Sequence, residues 1–418
     1  MKKTLIILTT TLLLLGLVFL LYLVFFFEDS PEKREGISRF IPFGDRGDQV
    51  TDKDDPDLDE LIIDDDFVAP YEKPEILRII SHTPIALGVS AFKSPRLEDL
   101  EKEEVENVDK FWYVRYVEKE TGYLFEVELG LDTVDQLSDS FISSNVFRGY
   151  WTNQGVIVQY EEDDENIESL YMRTISIDDI RSGLETIPSE SIFLPKNISR
   201  LAVSPNKSKI ASLIHDEGRF FTSNPDGRNQ SNVLSSPIKE WNLEWATENI
   251  LSITTAPAGE VGGHNFFFNQ TSRVMEPNLR NIPGLTTKTS PDSQFIFYAE
   301  SGSGRIESYF YNHTTGQIRP SDKNTLPEKC VWSSTQNTII YCAVPKEISL
   351  TARYPDYWYQ GQLFFSDEIW RINADTGRAT LVENELQGID AINLFLDEED
   401  DNLFFINKRD SMLWVREL

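Results

Sequence analysis

From about Tyr71 onward the chain alternates short β-branched or aromatic runs with clusters of turn residues, the pattern of an all-β domain. The runs come in a fixed order. A small or Trp-containing turn precedes an apolar strand in Trp151-Thr152 before Val156 to Val158, Ser204-Pro205 before Ile210 to Leu213, and Trp245-Ala246 before Ile250 to Ile253. The series goes on through Ser290-Pro291 before Phe295 to Tyr298, Trp332-Ser333 before Ile339 to Tyr341, and Asp397-Glu398 before Leu403 to Ile406. Thr83-Pro84 before Ile85 to Val89 reads as a weaker first copy. Turns at 204, 246, 290 and 333 are spaced by about 43 residues, the length of a four-stranded propeller blade. A second landmark, an X-Gly hairpin, follows in Thr121-Gly122, Asp226-Gly227, Thr315-Gly316 and Thr376-Gly377. Seven copies predict an all-β fold, a closed seven-bladed β-propeller of four-stranded antiparallel blades over residues 71–418.

The last copy holds only three strands, Asp390 to Leu396, Leu403 to Ile406 and Met412 to Arg416, and an open edge invites aggregation. An N-terminal segment is therefore expected to complete it, first Ile37 to Phe43 and second Glu60 to Ile63; the alternative is a three-stranded last blade. Loop lengths point to one elaborated face. The X-Gly hairpins read as tight third-to-fourth connections, whereas Lys93 to Lys110, Glu161 to Asn166, Ala256 to His264 and Pro345 to Asp367 read as variable second-to-third loops. Variable loops on a rigid scaffold are where binding surfaces are built. The acidic stretches PRLEDLEKEEVENVDK and EEDDE are either solvated faces or a collar steering a basic partner. The segment YPDYWYQGQLFF supplies Tyr354, Tyr357, Trp358 and Tyr359 as candidate contact residues, the alternative being that they pin the loop to its blade. Trp241, Leu243 and Trp245 alternate on one strand and read as inter-blade core.

Ser204-Pro205-Asn206 through Ala211, Ser290-Pro291-Asp292 through Tyr298, and Ile369-Trp370-Arg371-Ile372-Asn373-Ala374-Asp375-Thr376-Gly377 resemble the TolB-type propeller repeat. The chain also resembles single-pass membrane-anchored propeller proteins of candidate-phylum bacteria. The resemblance implies an interaction scaffold at the cell envelope and supplies no catalytic residues. One departure is plain: Lys207 and Ser293 stand where that repeat has glycine.

The N-terminus changes the picture again. Thr4 to Phe27 is an uncharged run of 24 residues after Lys2 and Lys3, long enough to span a bilayer, so 1–27 reads as a transmembrane anchor; a cleaved signal peptide is the alternative. The two lysines favour a cytoplasmic N-terminus and an extracytoplasmic propeller. Residues 28–70 form an acidic linker, with 15 acidic and 5 basic residues between Glu28 and Asp66. Asp55, Asp57, Asp59 and Asp66 follow calcium-loop spacing, but Glu60 occupies its glycine position, so a solvated tether is the better reading.

Composition excludes several classes. With 39 basic and 69 acidic residues the formal net charge is −30, which argues against nucleic acid as a partner. Two cysteines and four histidines exclude a disulfide framework and a zinc cluster. Cys330 and Cys342 flank a hairpin centred near residue 336, which places them opposite each other as a candidate disulfide or as two packed thiols. No catalytic signature occurs, and His82, His215, His264 and His313 fall in separate copies. The expectation is a membrane-anchored propeller that is not an enzyme, takes no cofactor or metal, and serves as a protein-protein interaction or scaffold module. A surface receptor binding glycan or peptide through the aromatic loop is the alternative, and a hydrolase with a channel site the third reading.

Overall fold

The computed structural model describes residues 77–418 apart from 97–108, 132, 139–140, 164–165, 175–190, 385 and 387. The apolar run 4–27, the calcium-like spacing, Ile37 to Phe43 and Glu60 to Ile63 lie outside the described residues. Among the described residues, no helix is long and apolar enough to cross a membrane.

Seven sheets of four antiparallel strands form the domain. Blade one comprises Ser90–Ser94, Phe111–Val117, Leu124–Glu128 and Val134–Gln136; blade two Val146–Trp151, Gly155–Asp163, Asn166–Arg173 and Ser191–Phe193. Blade three runs Ile198–Val203, Ile210–Ile214, Arg219–Ser223 and Ser231–Ser235; blade four Trp241–Thr247, Ile250–Thr255, Gly262–Asn269 and Val274–Pro283. Blade five runs Thr286–Thr289, Phe295–Gly302, Arg305–Asn312 and Ile318–Pro320; blade six Cys330–Trp332, Ile339–Pro345, Asp367–Asn373 and Ala379–Glu383. Blade seven takes Ala391–Leu396, Asn402–Asn407 and Leu413–Glu417 from the C-terminus and Leu77–Ile79 from the N-terminal side.

The first strand of every blade lines a cavity on the axis, so first strands are innermost. Second strands are sandwiched between neighbouring blades: Ile210–Ile214, Ile339–Pro345 and Asn402–Asn407 are buried at every position. That is why they read as unbroken apolar runs rather than alternating ones. The Ser-Pro turns are built by side chains. Ser204 Oγ accepts from Lys209 N at 2.9 Å, and Ser290 Oγ accepts from Phe295 N at 2.9 Å. Lys207 and Ser293, the two departures from glycine, have φ of 56° and 58°, the left-handed region in which glycine carries no Cβ penalty.

Three expectations are corrected. The closing strand is neither Ile37 to Phe43 nor Glu60 to Ile63 but Leu77–Ile79, which pairs with Leu413–Glu417 in the register Leu77 to Arg416 and Ile79 to Trp414. A strand this short, with half-exposed or exposed residues, leaves little periodicity to read. Ser90–Ser94 and Phe111–Val117 are the first and second strands of blade one, so the connection between them is first-to-second rather than second-to-third. Thr121-Gly122 correspondingly joins the second and third strands. Both slips follow from the irregular inner strand of blade one, where Ile85 pairs with Glu118 and Leu87 runs parallel to Arg148 before regular pairing begins at Ser90.

Candidate functional site

The loop face is dominated by the excursion between Pro345 and Asp367. It contains one helical turn, Asp356–Tyr359, and a cis Tyr354-Pro355 bond. Its apolar side chains Ala352, Tyr354, Trp358 and Phe365 pack with Ala299, Ile306 and Leu326 into a core of their own. Tyr354 and Trp358 are only 1% and 4% exposed, which removes them as contact residues. Tyr357 is half-buried, and Tyr359 is 43% exposed. Thus two of the four candidate aromatics pin the loop, and Tyr359 retains a free surface.

Beneath Trp358 lies a feature that sequence reasoning missed. Lys329, wholly buried, ends the short 3-10 turn before the inner strand of blade six. Its Nζ donates to Asp367 Oδ2 at 2.8 Å, Asp390 Oδ1 at 2.5 Å and the Ala391 carbonyl at 2.9 Å, using all three of its protons. Asp390 Oδ2 accepts from Trp358 Nε1 at 2.9 Å and from Phe365 N at 3.1 Å. Asp367 Oδ2 also accepts from Ala391 N at 2.7 Å, whereas its Oδ1 has no partner. Burial pushes the Asp367 carboxyl up to about 6 despite the opposing Lys329 charge. Lys408 covers the other side: Nζ lies 3.9 Å from the Trp358 ring and donates to the Trp358 carbonyl, and burial lowers its amine to about 8. No spacing signal could have found this cluster, because its members come from four separate connections.

The excursion interlocks with neighbouring loops. Gly259 N donates to Asp356 Oδ1 at 2.8 Å, Glu260 accepts from Ser303, and Ser303 bridges to Arg353. A Cβ at Gly304 would come within 2.3 Å of the Leu350 carbonyl, so the blade-five turn fits closely beneath the excursion. Leu350 itself is 84% exposed, and Val261 and Phe364 are also exposed on these loops. Toward the axis, the Tyr359 hydroxyl donates to Glu328, whose carboxyl is raised by burial. Glu244 and Lys288, which act electrostatically on Glu328, line the axial cavity.

That cavity, about 720 Å³, is ringed by Trp151, Trp245 and Trp332 at the ends of the inner strands of blades two, four and six. Trp151 Nε1 and Trp332 Nε1 donate to carbonyls of the preceding blades, Gly88 at 3.4 Å and Lys288 at 3.3 Å. Trp245 Nε1 is buried with no partner. The histidines are dispersed: His313 Nδ1 meets Asn278 Oδ1 at 2.9 Å, and His215 sits 3.6 Å from Glu240. Among the described residues, no three metal-ligating side chains come together. Cys330 and Cys342 are direct cross-strand partners, and the structure joins them with Sγ to Sγ 2.11 Å.

Neither a protein-family model nor a curated protein sequence matches this chain. Solved structures do. The GH74 xyloglucanase from Xanthomonas campestris is 12% identical, covers 82% of this chain and 53% of its own, and has a TM-score of 0.51. An oligogalacturonate lyase in complex with manganese gives 9% identity, 80% and 98% coverage and a TM-score of 0.49. The β-propeller domain of Cps50 (Swd1) from Myceliophteria thermophila gives 9%, 79%, 99% and 0.48. The chain is a seven-bladed β-propeller. At these identities the likeness reaches no further than the fold.

Proposed function

We propose that this propeller is a membrane-anchored, extracytoplasmic interaction module that holds a protein partner on its loop face. The observation that carries the reading is the excursion itself. A 3-residue buried charge cluster, an apolar core and links from Gly259 and Ser303 hold a loop that presents Leu350, 84% exposed, to solvent. Rigid loops presenting apolar side chains are how protein interfaces are anchored, because little entropy is lost when the partner docks. The apolar run 4–27 supports the anchor, and the −30 charge supports a protein partner over nucleic acid. The scaffold role resembles that implied by the TolB-type repeat.

In-cell crosslinking of the full chain beside a Leu350→Glu/Val261→Glu variant tests this. A partner lost only in the variant, at equal melting temperature, supports the reading; identical partner sets overturn it. Protease accessibility of the propeller in intact spheroplasts tests the orientation separately.

The axial cavity favours a second reading, a receptor for glycan or peptide. Trp151, Trp245 and Trp332 contribute edges to its lining, and Trp245 Nε1 is an unused donor. Glycan-array and peptide-library binding by the full chain, lost on Trp332→Ala, would support it.

A further inference from the structure

The buried cluster at the joint of blades six and seven holds the ingredients of a condensation. We infer that Lys329 and Asp390 are placed to form an intramolecular amide between Lys329 Nζ and Asp390 Cγ, with Asp367 as the proton shuttle. Nζ lies 2.5 Å from Asp390 Oδ1 and 2.8 Å from Asp367 Oδ2, and all three side chains are wholly buried. In a dry site an ammonium and two carboxylates are costly, and moving one proton from Lys329 to Asp367 removes two charges at once. The aromatic rings of Trp358 and Phe365, 5.4 and 5.3 Å from Nζ, help exclude water.

Asp367 passes that proton on to Asp390 Oδ1, and the neutral amine attacks Cγ of the resulting carboxylic acid. Charge develops on Oδ2, which already accepts from Trp358 Nε1 at 2.9 Å and Phe365 N at 3.1 Å, the arrangement that stabilises a tetrahedral oxyanion. Asp367, again a carboxylate, then takes a second proton from Nζ and passes it to Oδ1 as well. Oδ1 leaves as water, the Nζ–Cγ bond remains with one N–H, and Asp367 ends as a carboxylate. Three protons on nitrogen become one on nitrogen and two in water, so no co-reactant is needed. Asp367 Oδ1 has no partner and so is an open position for a proton. Fixed geometry supplies the driving proximity, since held reactants behave as if at very high concentration. The product would staple the entrance of blade six to that of blade seven.

Mass spectrometry of the full chain decides it. After reduction of Cys330–Cys342 and unfolding, the expected mass is lower than the sequence by one water. Tryptic digestion is expected to skip Lys329 and to yield a branched peptide joining it to Asp390. Asp390→Ala is expected to restore cleavage after Lys329, and Asp367→Asn to lose the branch while Asp390 stays in place. Because either variant could misfold, the wild-type digest is the primary readout. An unshifted wild-type mass with cleavage after Lys329 overturns the inference, and a branch to Asp367 overturns the assignment of roles.

Discussion

The joint between blades three and four and the joint between blades six and seven carry the same load by different chemistry. At the first, Ala202, Leu213 and Phe220 meet Trp241, Leu243, Trp245 and Ile253 in a continuous apolar cluster. At the second, an apolar cluster with Tyr341, Ile369, Leu394 and Phe405 is joined by the Lys329, Asp367 and Asp390 network and by the excursion above it. An apolar joint tolerates loss of a methylene because its neighbours relax. A buried ionic joint does not tolerate loss of one partner, because the remaining charge has no solvent to return to. The difference explains how a long loop can be held rigid at one sector of an otherwise uniform ring.

The largest expected effect tests that asymmetry. Asp390→Ala leaves Lys329 short of a counter-charge and frees Trp358 Nε1 and Phe365 N, and should cost about 3–5 kcal/mol in urea unfolding. An effect below 1 kcal/mol would mean that water enters the joint. Cys330→Ala/Cys342→Ala opens the loop that the cross-strand bond closes in the unfolded chain and should cost about 2–3 kcal/mol, read as a lower melting temperature.

The pH dependence comes next. Asp367 titrates near 6 when folded against 3.8 ordinarily, so the folded state holds its proton more tightly. Its contribution is therefore present at acid pH and lost as pH rises through about 6. Stability of wild type minus that of Asp367→Asn should fall between about pH 4 and 7, and a flat difference would refute it. At the apolar joint, Ile253→Val should cost only about 1 kcal/mol by the same unfolding assay. Smallest is a gain: Lys207→Gly relieves a φ of 56° and should add up to about 1 kcal/mol, checked by thermal melting.

Much of the ring could be read from the chain because each blade repeats one local solution. The Ser-Pro turn, the doubly buried second strand and the X-Gly hairpin depend on neighbours in sequence, and the opposition of Cys330 and Cys342 follows from a short hairpin. Blade one misled because residues 85–89 pair irregularly before the regular ladder. Tyr354 and Trp358 misled for another reason. An aromatic-rich loop has the same composition whether its rings face a partner or its own core, and only packing against Ala299, Ile306 and Leu326 decides between them.

The sequence by itself determined the blade count and, outside blade one, the strand order and the place of the turns, since all three rest on periodic local hydrogen bonding and on burial of alternate or continuous apolar runs. The tertiary structure alone decided which segment closes the ring. Leu77–Ile79 is chosen by edge pairing with Leu413–Glu417, across more than 300 residues of chain. It also decided that Lys329, Asp367 and Asp390 meet. Three ordinary charges at unrelated positions become a site only when ring closure removes the water around them, and solvent exclusion is a property of the assembled blades.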